Sequence, residues 1–166
     1  MGNQIEFIGF ADDCRVEGRV DLEDARLADL LNRKETLVLR HVTLVSMADG
    51  HSRQFRRLEI QRDELDIVVA TGPRGDPSRR LATRPSGVAL KLGPYQAEGY
   101  MHAPPTATVR GLNHRPSMVA LTDAVLEYSF NNETHSQRYE TLLVNRDLAD
   151  SLRTVISPAG TYSGAA

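Results

Sequence analysis

The sequence predicts a mainly β protein with short helices (α+β). Two pseudo-symmetric repeats of strand–helix–strands would form small barrels or share one sheet. Three observations lead there. Several segments alternate apolar and polar side chains with a period of two. The chain matches itself at a spacing of 81 to 84 residues. Its 166 residues, 40% hydrophobic and 25% charged, are those of an ordinary globular domain able to bury a core without disulfides.

The elements follow in order. QIEFIGF (4–10) and CRVEGRVD (14–21) alternate and carry β-formers, so they read as strands. Gly18 lies inside the second, where glycine marks a bulge or sharp bend. DARLADLLN (24–32) sets Leu27, Leu30 and Leu31 at helical spacing behind an Asp-type N-cap, which predicts a short amphipathic helix. LVLRHVTLVS (37–46) and FRRLEIQR (55–62) read as a hairpin turning at Asp49-Gly50.

The second half repeats these marks. Glu17-Gly18 and Glu98-Gly99 open segments that end in Leu31-Asn32 and Leu112-Asn113. Leu39 and Leu44 answer Leu121 and Leu126, and Arg62-Asp63 answers Arg146-Asp147. Strands are expected at 117–130 and 136–145 with a turn at Asn131-Asn132, and a weaker helix-like turn at 104–113. The predicted organisation is a first repeat over 1–70, an Arg/Pro/Gly-rich linker loop over 71–87, a second repeat over 88–156 and a flexible tail over 157–166.

Charge is uneven although the total is −2. Residues 1–50 sum to −4, residues 51–84 to +3 and residues 85–166 to −1. The basic stretch is all arginine, and Arg53, Arg56, Arg57, Arg74, Arg79, Arg80 and Arg84 are candidate contacts for an anion or a partner, since guanidinium forks pair with phosphate and carboxylate. With 18 Arg and two Lys in the whole chain, this also fits a general preference for arginine on a solvated surface. The repeated polar residues Asn32, Asn113, Arg62, Asp63, Arg146 and Asp147 are a second set, read either as fold-closing contacts or as a symmetric pair of recognition sites.

Signatures of chemistry are missing from the sequence: no phosphate-binding glycine loop, no G-x-S-x-G, no H-E-x-x-H and no C-x-x-C. The five histidines are not spaced as local metal ligands, so neither metal nor cofactor is expected. His41 aligns with Asp123, and if both faced a shared axis they would form a structural polar pair. Cys14 follows Asp12 and Asp13, whose charges should raise its pKa and leave it inert. The polar, acidic start lacks the basic and apolar regions of a secretory signal, which with a single cysteine predicts a reducing, cytoplasmic setting.

The E-G strand, the RLADLLN helix, the VALTDAVL strand and the closing LLVNRDL together resemble an uncharacterised bacterial family of small β-rich tandem-repeat domains, across about 16–66 and 97–150. No activity comes with that resemblance. A second resemblance, to Sm-like small barrels, rests on Gly18, Gly99, Asp123 and Asn145-Arg146 and implies RNA binding. The chain departs from that pattern in placing its helix-like turn after the second strand and in lacking an Asp-x-Asn motif. The sequence thus predicts a non-enzymatic protein-interaction or self-assembly module, a homo-oligomer or the partner of another protein, joined through unpaired strand edges. The alternative is binding of nucleic acid or another anionic ligand through residues 53–84.

Overall fold

The structure is a computed structural model that describes residues 3–23, 25–71, 84–103 and 117–155. The first half holds β1 (Gln4–Ala11), β2 (Cys14–Asp21), helix α1 (Leu27–Arg33), β3 (Thr36–Ser46), β4 (Ser52–Gln61) and β5 (Leu65–Val69). The second holds β6 (Arg84–Leu92), β7 (Tyr95–Ala103), β8 (Met118–Phe130), β9 (Glu133–Asn145) and β10 (Ser151–Thr154). All ten strands lie in one open sheet in the order β10-β6-β7-β8-β9-β5-β1-β2-β3-β4, with every described pairing antiparallel.

This corrects the expected fold. The protein is mainly β, with one α-helix among the described residues, and it is not two strand–helix–strands repeats closed into barrels. The reason lies in β5 and β9, which meet edge to edge through Ile67↔Val144, Val68↔Leu143 and Val69↔Leu142 and make the strands continuous. The helix-like turn expected at 104–113 and the tail at 157–166 lie outside the described residues. β6 begins at Arg84, inside the stretch expected as a linker over 71–87, of which residues 72–83 lie outside the described residues.

Within the sheet, the two halves have the same strand order, β5-β1-β2-β3-β4 and β10-β6-β7-β8-β9. Their irregularities coincide as well. Between β2 and β3 the register slips at Gly18, and His41 is the extra residue, with φ +52°. Between β7 and β8 it slips at Gly99, and Asp123 is the extra residue, with φ +47°. These are β-bulges that bend the strands, and His and Asp tolerate the left-handed backbone better than most residues. The expected His41–Asp123 pair therefore does not form: both side chains are exposed, each in its own half.

Glycine is needed opposite each bulge. A Cβ on Gly99 would stand 3.0 Å from the Thr122 carbonyl oxygen and 3.2 Å from the Ala124 Cα, both backbone atoms that cannot swing aside. Gly99→Ala is accordingly expected to lower stability by about 1–3 kcal/mol, measured by urea unfolding.

Burial follows from the joint. On β5 and the end of β9, Ile67, Val69, Leu142 and Val144 face a core built mainly from the second half, while Leu65, Val68 and Leu143 face a core built mainly from the first. Strands buried on both faces read as continuous apolar runs, here LDIVV and LLV, rather than alternating ones. Each core also borrows from the other half: Phe10 and Met47 enter the second, and Met118 enters the first beside Leu27, Leu30 and Leu31 of α1. The helix lacks the expected Asp-type cap; Arg26 takes the N-cap position, with no side-chain cap, and pairs with Asp29 at 2.9 Å.

Candidate functional site

Three of the arginines singled out in the sequence come together on one exposed strand. Arg53, Arg56 and Arg57 all lie on β4, which among the described residues ends the sheet and pairs only with β3. The strand is ten residues long, so one whole side of its backbone faces outward. Arg53 sits over the Phe55 ring at 5.7 Å, Arg57 pairs with Glu59 at 3.1 Å, and Arg56 has no described partner. Beside it, His41, Val42, Thr43, Gln54, Phe55 and Arg56 line a shallow groove of roughly 330 Å³. Arg84 begins β6, and its side chain lies outside the described residues together with Arg74, Arg79 and Arg80.

Of the repeated polar residues, Asn32 serves the joint between the halves, and the Arg-Asp pairs serve turns within each half. Asn32 does not cap α1, whose C-cap is Lys34; its amide donates to the Met118 carbonyl at 3.1 Å and accepts from the Met118 N–H at 2.8 Å. A side chain thus completes the backbone bonding at the start of β8. Arg62-Asp63 and Arg146-Asp147 occupy matching 3₁₀ turns, after β4 and after β9. The two backbone N–H groups of Arg62 and Arg146 donate to matching carbonyls, of Glu35 at 2.7 Å and of Ser117 at 2.8 Å. The ion pairs themselves are long, 3.7 Å and 3.9 Å, and solvent-exposed on the aspartate side, so they contribute little. Asn113 lies outside the described residues. Asn145, noted in the sequence only for the Sm-like resemblance, is fully buried and donates across the joint to the Arg62 and Leu65 carbonyls at 3.4 and 3.1 Å.

A second feature was not among the sequence expectations. Asp12 and Asp13 from the β1–β2 turn, Asp63 and Glu64 from the 3₁₀ turn after β4, Asp66 from the start of β5, and Asp150 before β10 surround a cleft of roughly 400 Å³ between the halves. Asp66 is only 5% exposed. It is the extra residue of a bulge, since Phe10↔Ile67 is followed by Ala11↔Leu65. Its counterpart by position, Asp150, accepts the Gly93 N–H at 2.9 Å, whereas no described group bonds to Asp66. Burial first, then the charges of Asp12 and Asp150, push the Asp66 carboxyl up to about 6. Among the described residues, no three acidic, histidine or cysteine side chains are placed to share a metal ion.

No protein-family model, curated protein or solved structure matches this chain.

The raised Asp66 carboxyl has a consequence for stability. The folded state takes up this proton near pH 6 and the unfolded chain near 3.8, so the burden of the buried charge is fully present above pH 6 and is relieved as pH falls towards 4. It amounts to about 3 kcal/mol. Asp66→Asn is expected to stabilise the protein at pH 7.5 and to lose that gain by pH 4.5, read from urea unfolding of both proteins across this range. Cys14, half-buried, is raised to about 11, by burial first and by Asp13 second, which leaves its thiol protonated at neutral pH.

Proposed function

We propose that the protein is a non-enzymatic interaction module that binds another protein by adding an extended, acidic segment to the open edge of β4. The observation that carries this reading is the joint inside the chain. β9, which holds the place in the second half that β4 holds in the first, takes β5 as an added strand. Main-chain hydrogen bonds give such a pairing its affinity, and side chains give it selectivity. On β4 the selectivity comes from Arg53, Arg56 and Arg57, set against the single carboxylate of Glu59.

A second copy of the chain is a poorer occupant. Matched through their registers, Ser151, Leu152 and Arg153 of β10 stand where β5 has Ile67, Val68 and Val69. Leu58, Glu59 and Ile60 of β4 stand where β9 has Leu142, Leu143 and Val144. Three of the six apolar residues of the inner joint are therefore polar at the outer edges. Two of the three are charged and would be buried by self-pairing.

The test uses two synthetic seven-residue peptides, one alternating glutamate with valine and one alternating lysine with valine, titrated by calorimetry. The acidic peptide is expected to bind, with affinity falling as salt rises, and the basic one not to bind; Arg53→Glu with Arg56→Glu should reverse the order. Equal binding of both peptides, or of neither, would remove this reading. The same arginines also suit nucleic acid. A purified protein whose absorbance ratio at 260 and 280 nm is high and collapses with salt would move the assignment to that ligand.

A further inference from the structure

We propose that the acidic cleft between the halves is a binding site for a compact organic cation, a guanidinium or primary ammonium group. Three separate segments deliver carboxylates to it: the β1–β2 turn, the stretch running from the 3₁₀ turn after β4 into β5, and the stretch before β10. Among the described residues, no lysine or arginine lines it. Three of the carboxylates have work elsewhere: Glu64 accepts the Gln61 N–H at 3.2 Å, Asp63 pairs with Arg62, and Asp150 holds Gly93.

Asp66 is different. It is 95% buried, unpartnered among the described groups, and turned by its bulge to the wall of the cleft. A buried carboxylate without a partner is costly, and a bulge is a common device for aiming one side chain at a ligand. Asp12, which also lacks a described partner, stands beside Gly93, where its Oδ1 would be 3.1 Å from any added Cβ. Together Asp12 and Asp66 offer four acceptor oxygens to a donor set. The carboxylates are spread too widely to close around a metal ion, yet roughly 400 Å³ accommodates a planar guanidinium or an ammonium group with its stem. The cation has two possible sources, an arginine or lysine side chain of a partner protein and a free small amine. The site is independent of strand addition at β4.

Backbone amide shifts of the full chain, followed by NMR at pH 7.5 and fixed ionic strength, provide the test. The probes are acetyl-glycyl-arginyl-glycinamide and agmatine, with sodium chloride and calcium chloride as controls. Saturable shifts at Asp12, Asp66 and Gly93 are expected with an organic cation, and binding at least about tenfold weaker in Asp66→Asn. Asp12→Asn, on the exposed turn, should weaken binding in the same direction and serves if Asp66→Asn perturbs the fold. Tighter binding of the peptide assigns the site to a partner's side chain, and tighter binding of agmatine assigns it to a free amine. Shifts that merely track ionic strength, tighter saturation by calcium, or unchanged binding in both variants would overturn the proposal.

Discussion

Tyr95→Ala is expected to cost about 3–5 kcal/mol and to loosen the two halves from each other, because Tyr95 is a fully buried aromatic residue at their meeting point. It begins β7 in the second half, yet its hydroxyl donates to the Ala11 carbonyl and its ring meets Phe10 of β1 edge-on, at 5.5 Å. Tyr128 completes the cluster, 5.5 Å from Phe10 and 6.3 Å from Tyr95. Such contacts add to the area they bury. The conservative variant separates packing from hydrogen bonding: Tyr95→Phe keeps the ring and leaves the Ala11 carbonyl without this donor, for about 1–2 kcal/mol. Urea unfolding monitored by far-ultraviolet circular dichroism gives both values. If Tyr95→Ala unfolded at the wild-type midpoint, the two halves could not depend on this cluster.

The second large effect concerns assembly. Restoring the inner joint's residues at the outer edges, with Glu59→Leu, Ser151→Ile and Arg153→Val together, should make the chain associate with itself far more strongly than the wild type does. Each apolar side chain buried in such a joint contributes about 1.5–3 kcal/mol. The register already exists in β5·β9 and needs only complementary surfaces. The joint would run from β10 of one copy to β4 of the next, a head-to-tail contact that closes as a ring or grows as a fibre according to its rotation. Light scattering at a series of concentrations measures this. A triple variant that associates no more than the wild type would mean that something other than those three side chains keeps the edges apart.

Much of the sheet was legible because half-buried strands leave a trace. β1, β2, β3, β8 and β9 were visible through alternation, and Asp49-Gly50 and Asn131-Asn132 marked the hairpin ends; Gly50, Asn131 and Asn132 do have positive φ. Gly18 and Gly99, read as bends, sit opposite the bulges. The main failure has a plain physical cause. β5 lies at the centre of the sheet with both faces covered, so LDIVV has no period to detect and the connection of the two halves stayed hidden. Without it, two repeats of strand–helix–strands suggested small barrels or a shared sheet. β10 is four residues of mixed polarity, too short to show a pattern.

The candidate sites divide along the same line. Arg53, Arg56 and Arg57 are neighbours in sequence and on one strand, so local charge counting found them. The acidic cleft is assembled from residues as far apart as Asp12 and Asp150, and nothing local announces it. One signal was available: Asp66, a charged residue inside an apolar run, is matched by Asp150 at the spacing that relates Arg62-Asp63 to Arg146-Asp147.

Hydrogen exchange of the β4 backbone, with and without the glutamate–valine peptide, is the most direct test of strand addition. An open edge leaves the outward amides of Ser52–Gln61 exchanging quickly, and an added strand closes them. The expected result is slowed exchange confined to β4, absent with the lysine–valine peptide and lost in the Arg53→Glu, Arg56→Glu variant. Binding that leaves the β4 amides unprotected would place the partner elsewhere and contradict the proposed function.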